Sequence, residues 1–134
     1  MKIKSGKAKG RKLQNLVRDR LIEIFVTNWT KLPKLEEDDI KSQTMGMTGE
    51  DIVLSPKARK LIPYSFECKN VEKLNLWSAI EQCEDNAIKI DGTLKGEPVV
   101  VIKKNRKQPH VVISLEHFIK LISEWGAYER SKIR

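Results

Sequence analysis

The chain has 134 residues, of which 40% are hydrophobic, and 26 lysines and arginines against 18 acids give a formal net charge of +8. This length predicts one domain with a single core, and the positive charge favours a polyanionic partner such as nucleic acid or an anionic membrane surface. No apolar run approaches the roughly 18 residues of a membrane span, and no signal-peptide segment follows the basic start, so we expect a soluble cytoplasmic protein. Cys68 and Cys83 are expected to be buried thiols and not a disulfide pair.

The chain opens with a basic segment in which about residues 1–9 are expected to form a mobile arm. This arm is either a solvated tail or a segment that contacts phosphates. From about Gly10 to Thr27, apolar residues recur at three- and four-residue steps, which predicts an amphipathic helix. Lys9, Arg11 and Lys12, at the start of this helix, are candidate DNA contacts.

Two polar stretches follow the first helix. Residues 28–40 predict a break, and the acidic run Glu36–Asp39 is interpreted as a surface loop or helix start, because adjacent residues cannot all point at one ion. Residues 41–49 are rich in small hydroxyl residues and glycines. The Ser42 and Thr44 hydroxyls could bind a phosphate, and an ordinary turn into a strand explains the same segment equally well.

Carboxylates and a lysine are concentrated in the next two predicted strands. Tyr64–Lys69 alternates apolar and polar residues, which predicts a strand with an apolar face and a second face that carries Glu67 and Lys69. Asp51 opens the apolar run 52–54, which predicts a neighbouring strand. Two carboxylates and a lysine on one sheet edge would form a magnesium site.

A short helix is predicted between these strands, with Ser55 as its N-cap and a proline in its first turn. Its basic side chains are either phosphate contacts or part of a solubilising turn. They are Lys57, Arg59 and Lys60.

The second half of the chain predicts a helix, two strands and a final helix. Asn70 is expected to cap a helix over about Glu72–Ala87, and the continuous apolar run Pro98–Ile102 predicts a strand buried on both faces. A basic turn precedes a strand at His110–Ile113, and Ser114 caps a helix that is predicted to continue to Ile122. The turn supplies three further candidate DNA contacts, namely Lys103, Lys104 and Arg106.

The acids and the lysine resemble the core motif of the PD-(D/E)XK nucleases. Asp51 matches the first acid, and Glu67-Cys68-Lys69 matches the Glu-x-Lys, whereas Glu50 stands where the family usually has proline. The segment Lys9–Gln14 is similar to the opening helix of archaeal-type Holliday junction resolvases, a branch of this superfamily with phage relatives.

Two glutamines carry the resemblance to the resolvase branch further. Gln14 takes the position of a metal-associated glutamate, so that acid is either absent or replaced, for example by Glu23. The pair Glu81–Gln82 matches a pair in which the glutamine lies near the active site. The resemblance covers about Lys9 to Phe118.

The resemblance implies a restriction-endonuclease-like α/β sandwich with a central mixed β-sheet flanked by helices. It also implies Mg²⁺, replaceable by Mn²⁺, held by Asp51, Glu67 and the backbone carbonyl of Cys68. Asp51, Glu67, Lys69 and Gln82 would be the catalytic residues, and the products would carry 5′-phosphates.

The substrate stays open at this point. The resemblance implies an endonuclease that cuts branched DNA as a homodimer. The alternatives are a sequence-specific nicking or homing endonuclease on the same fold and a DNA-binding module without catalysis.

Overall fold

The computed structural model describes residues 2–27, 32–89 and 91–133. Within these residues, four α-helices and five strands follow one another: α1 (Lys2–Ile22), β1 (Ile40–Ser42), β2 (Ile52–Leu54), α2 (Pro56–Leu61), β3 (Tyr64–Asn70), α3 (Leu76–Asn86), β4 (Glu97–Lys103), β5 (His110–Val112) and α4 (Leu115–Ser131). A π-helical segment at Glu23–Thr27 continues α1, and a 3₁₀ turn at Glu37–Asp39 precedes β1. Residues 28–31 of the predicted break lie outside the described residues.

A mixed three-stranded sheet lies at the centre of the fold. β3 and β4 are parallel, with α3 as the crossover between them, and β5 returns antiparallel to β4. β1 and β2 form a separate antiparallel pair in which Ile40 is opposite Leu54. The Asp51 N–H, just before β2, donates to the Phe66 carbonyl at 3.0 Å and so connects the pair to β3. The predicted α/β class with a mixed sheet between helices is confirmed, and it is compatible with a restriction-endonuclease-like fold.

The central sheet is covered on both faces. One face packs into the main hydrophobic core, to which α1 contributes Leu13 and β3 contributes Phe66 and Cys68. The other face packs under α3, where Cys83 and Val100 are buried together. This double coverage explains the continuous apolar run of β4, and it buries the polar face of β3 as well.

Local sequence signals set several of the element boundaries. The Ser55 hydroxyl accepts a hydrogen bond from the Ala58 N–H, and Pro56 is the first residue of α2, as predicted. Ser114 caps α4 through the His117 N–H. Cys68 and Cys83 are buried free thiols, also as predicted. None of the helices that the structure describes is long and apolar enough to cross a membrane.

Some boundaries differ from the sequence-based predictions. α1 begins at Lys2, so the segment predicted as an arm is helical from that residue on. Its lysines and alanine favour helix, and the two glycines are tolerated within it. α3 begins at Leu76 under an Asn75 cap, because β3 continues to Asn70 by pairing with Lys103.

Three further differences concern pairing and length. β1 had been assigned to the break and the small-residue loop, and it is the strand that pairs with β2. β2 was expected to be the neighbour of β3, and its hydrogen-bonded partner is β1, while the Asp51 N–H just before it donates to Phe66 of β3. α4 extends to Ser131, nine residues beyond its predicted end at Ile122.

Candidate active site

Asp51 is held in place by backbone hydrogen bonds on both sides. Its N–H donates to Phe66, and its carbonyl accepts from the Gln43 N–H at 2.8 Å. Its carboxylate Oδ2 accepts a hydrogen bond from the Cys68 N–H at 2.6 Å. The carboxylate therefore lies against β3 at the residue between Glu67 and Lys69.

Glu67 and Lys69 project from the face of β3 that α3 covers. Glu67 is 3% exposed, and its Oε2 lies 3.3 Å from the Lys69 ammonium. The same ammonium donates to Gln82 Oε1 of α3 at 2.9 Å. The two acids, the lysine and the glutamine that the sequence indicated thus form one connected group.

Burial and mutual repulsion act on the two carboxyl groups. Burial raises the pKa of Asp51 above its ordinary value, against hydrogen bonds and the nearby Lys69 charge that lower it. Burial also raises the pKa of Glu67, and the negative charge of Asp51 raises that pKa further. The site therefore concentrates more negative charge in a poorly solvated place than Lys69 alone compensates.

The oxygen-rich donor set fits a hard divalent cation. Asp51 and Glu67 supply carboxylate oxygens, and the carbonyl of Cys68 lies on the strand between Glu67 and Lys69. Among residues 2–27, 32–89 and 91–133, no group of three or more His, Cys, Asp or Glu side chains is gathered to hold a metal ion. Further ligands would have to come from backbone carbonyls, amides or water.

Gln14 reaches the site from α1. It is 5% exposed, and its Nε2 donates to the Asp51 carbonyl at 3.3 Å. Its Oε1 is buried without a hydrogen-bond partner, so an acceptor oxygen near Asp51 is left unsatisfied. Glu23, considered as a replacement acid, is exposed on the π-helical segment and pairs with Arg20 at 3.7 Å, so it does not take this role.

Asn86 belongs to the site and was missed by the sequence analysis. Its Nδ2 donates to Glu67 Oε1 at 3.3 Å and to the Gly49 carbonyl at 3.2 Å. It therefore connects the glutamate to the loop that leads into Asp51. The available signal was its position four residues after Gln82, which places both amides on the same face of α3.

Four of the candidate DNA contacts line a cleft of about 660 Å³ next to α1, and Asp51, Glu67, Lys69 and Gln82 are not among its lining residues. Lys9, Arg11 and Lys12 of α1 line one side of it, and Lys103 lines the other. Asn70, one residue after the catalytic lysine candidate, lies in the same cleft, where its side chain donates to the Lys9 carbonyl at 3.1 Å. Lys104 and Arg106 are exposed on the neighbouring turn.

The remaining candidates lie on the segments around Asp51 and on α2. Thr44, Lys57 and Lys60 are exposed, and Ser42 is half-buried at the end of β1. Arg59 differs from them because its guanidinium is held within the fold.

Arg59 Nη2 pairs with Glu50 at 2.7 Å, and Nη1 donates to the Tyr64 carbonyl at 2.9 Å. Glu50, which stands where the nuclease family has proline, therefore joins α2 to the segment before Asp51. An ion pair within the fold thus occupies the Arg59 guanidinium, and its phosphate contact stays a prediction.

Comparison with known proteins identifies the family. A family model described as "Phage putative PDDEXK endonuclease" matches residues 5–134. No curated protein and no solved structure gives a significant match. The match supports the PD-(D/E)XK superfamily, while the resemblance to junction resolvases stays a prediction. Because the family model covers all but the first four residues, the chain belongs to this family of phage PDDEXK endonucleases.

Proposed function

We propose that this chain is a metal-dependent endonuclease that hydrolyses phosphodiester bonds in DNA. The observation that carries the proposal is that Asp51, Glu67 and Lys69 lie together. The Asp51 carboxylate accepts a hydrogen bond from the Cys68 N–H at 2.6 Å, and the Glu67 carboxylate lies 3.3 Å from the Lys69 ammonium. Membership of a PDDEXK endonuclease family supports it independently. The net charge of +8 suits a polyanionic substrate.

Asp51, Glu67 and the Cys68 carbonyl would hold Mg²⁺, and Mn²⁺ would substitute because both ions accept hard oxygen ligands. When bound, such an ion polarises the scissile phosphate and acidifies water. The two carboxylates must be ionised to bind it. Their raised pKa values are therefore expected to weaken ion binding as the pH falls.

Lys69 is the candidate for positioning the attacking water and for balancing charge on the phosphate. Its side chain is 28% exposed, and its ammonium is oriented by Glu67 and Gln82. An ammonium fixed in this way can donate to a water or to a phosphate oxygen without first reorganising. In this proposal Gln82 positions Lys69 by accepting a hydrogen bond from its ammonium. Gln14 positions the Asp51 segment by donating a hydrogen bond to the Asp51 carbonyl.

The basic cleft, which includes Asn70 at the end of β3, would receive part of the DNA backbone. Lys9, Arg11, Lys12 and Lys103 would neutralise phosphates there, and the exposed Lys104 and Arg106 would extend the contact. Four to six such contacts make binding strongly dependent on salt.

Branched DNA is the proposed substrate, and the cytoplasm of the infected cell is the proposed place of action. The similarity of Lys9–Gln14 and Glu81–Gln82 to the resolvase branch supports this choice of substrate. A fixed cleavage sequence in linear duplex is the alternative.

The test incubates the protein with a synthetic four-way junction, linear duplex and supercoiled plasmid in Mg²⁺. Asp51→Asn is the inactive variant, and Asp38→Asn, which changes an exposed acid, is the matched control. Paired cuts near the branch support the junction substrate, and one fixed site in linear duplex supports the alternative. Binding without cutting by the wild-type protein, in either Mg²⁺ or Mn²⁺, would overturn the proposed activity.

A further inference from the structure

Helix α4 exposes more apolar surface than a helix packed on its own fold normally does. None of its residues is buried. Seven of its large apolar side chains are exposed, and Leu115 reaches 70% and Trp125 reaches 62%. These seven are Leu115, Phe118, Ile119, Leu121, Ile122, Trp125 and Tyr128. Because a helix of this length is marginal on its own in water, an apolar partner is needed to stabilise it.

Most of these side chains form one stripe. Leu115, Phe118, Ile119, Ile122 and Trp125 follow each other at helical spacing, with Ile122 at the centre. The opposite side of the helix contacts the sheet: His117 Nε2 lies 2.8 Å from the Tyr64 hydroxyl. Leu115 borders a cleft that Val100 and Val112 of the sheet also line, and the rest of the stripe faces away from the central sheet.

We propose that this stripe binds the same stripe of a second copy of the chain, with the two α4 helices antiparallel and the two-fold axis at Ile122. In that arrangement Ile122 meets Ile122, and Ile119 meets Trp125. Phe118 meets Gly126, where a Cβ position has no atom within 4 Å, so the large ring is received by the smallest residue. A two-fold contact requires this kind of self-complementary surface.

Charged residues beside the stripe favour the antiparallel arrangement of the two helices. Glu116 lies in the first turn of α4, and Arg130 lies in the last turn on the same flank. An antiparallel pair brings Glu116 beside Arg130 of the second copy, twice by symmetry. A parallel pair would bring like charges and like helix ends together, which is unfavourable.

The stripe offers most of the area that a stable contact needs. Its five side chains, each at least half exposed, extend over about three turns of the helix. With residue areas of roughly 200 to 280 Å² for these types, they offer roughly 600 Å² against the about 800 Å² that each partner buries in a standard interface. The stripe is apolar at its centre and charged at its ends, as interfaces are.

Cross-linking tests the symmetry axis directly. In Ile122→Cys, two thiols would meet across the axis and form an intermolecular disulfide under mild oxidation, while Cys68 and Cys83 are buried. Lys120→Cys is the matched control, because Lys120 is similarly exposed but lies on the opposite side of α4. Fast cross-linking of Ile122→Cys alone supports the proposal, and equal rates in both variants would overturn it.

Sedimentation equilibrium of the full chain tests the association itself. The wild-type protein is expected to dimerise, and Ile122→Lys is expected to weaken dimerisation by at least about a hundredfold while circular dichroism stays unchanged. Glu116→Arg should weaken it by about tenfold, and adding Arg130→Glu should restore it. A wild-type monomer up to about 100 μM, or a dimer that Ile122→Lys does not weaken, would overturn the proposal.

Discussion

The substitution Asp51→Asn tests how much the repulsion between the Asp51 and Glu67 carboxylates destabilises the folded protein. Asparagine keeps an oxygen that can accept from the Cys68 N–H, and it removes one of two neighbouring negative charges. Two unit charges about 5 Å apart repel by about 3 kcal/mol at an effective dielectric constant of about 20. Lys69 already compensates part of this repulsion. We therefore expect Asp51→Asn to raise the free energy of unfolding by about 1 kcal/mol at pH 7 without divalent cations.

Adding Mg²⁺ should make the wild-type protein more stable than Asp51→Asn. An ion that binds the folded state with a dissociation constant of about 1 mM adds about 1.4 kcal/mol at about 10 mM. The wild-type protein should gain this amount, and Asp51→Asn should gain much less because it lacks one ligand. Urea denaturation with and without Mg²⁺ measures both values, with Asp38→Asn as the control that behaves like wild type.

The pH dependence of stability follows from the same carboxyl groups. A carboxyl whose pKa is higher in the folded than in the unfolded protein binds its proton more tightly when folded, so its ionisation costs stability as the pH rises through that window. Without divalent cations, the contributions of Asp51 and Glu67 should therefore become less unfavourable as the pH is lowered from 7 through their raised pKa values. Relative to wild type, the stability advantage of Asp51→Asn should shrink over the same range.

Two results would refute this reasoning. If Asp51→Asn is less stable than wild type by about 1 kcal/mol or more without cations, the carboxylate makes net favourable contacts and the repulsion argument fails. If Mg²⁺ stabilises the variant as much as the wild-type protein, Asp51 is not a ligand.

Three further substitutions are predicted to have separable effects. Lys69→Met should lower the cleavage rate by at least about a hundredfold in a gel assay while DNA binding, measured by fluorescence anisotropy, stays within a few fold. Asn86→Ala should weaken Mg²⁺ binding about tenfold in a calorimetric titration because Glu67 loses a hydrogen bond that orients it, and an unchanged affinity would contradict that role. Gly96→Ala should lower the free energy of unfolding by about 2 kcal/mol in urea, because its Cβ would lie 2.8 Å from the Tyr64 carbonyl carbon. Activity per folded molecule should not change in that last variant.

The central strands could be predicted because the order of apolar and polar residues along each strand indicates which of its faces are buried. β3 alternates apolar and polar side chains, and β4 is apolar from Pro98 to Ile102 since α1 and α3 cover its sheet from opposite faces. The caps Ser55 and Ser114 could also be predicted, because each hydroxyl bonds to a backbone N–H three residues later.

β1 could not be predicted, because its strand conformation depends on its pairing with β2. Its three residues carry one buried side chain, Ile40, and follow a run of acids. The pairing of Ile40 with Leu54 is a long-range contact that no local pattern records. The start of α3 was misplaced for a similar reason, since Asn70 and Asn75 are equally good caps and only the pairing of β3 with β4 excludes the first.

Within the candidate site, the residues of the matched motifs were found, and Asn86, which belongs to none of these motifs, was missed. The acids, Lys69 and Gln82 were indicated by motif and spacing, and the structure brings them together. Asn86 carries no charge, and its contact with Gly49 depends on how α3 crosses the sheet. The sequence shows that Arg59 is basic, but only the folded chain shows that its guanidinium forms an ion pair with Glu50.

Diffraction from crystals soaked in Mn²⁺, recorded at a wavelength where manganese scatters anomalously, tests the central claim most directly. We predict one strong anomalous peak within about 2.5 Å of carboxylate oxygens of both Asp51 and Glu67 and of the Cys68 carbonyl oxygen, absent from crystals of Asp51→Asn. Full Mn²⁺ exchange with no peak between these two carboxylates, or a peak held by other side chains, would contradict the account.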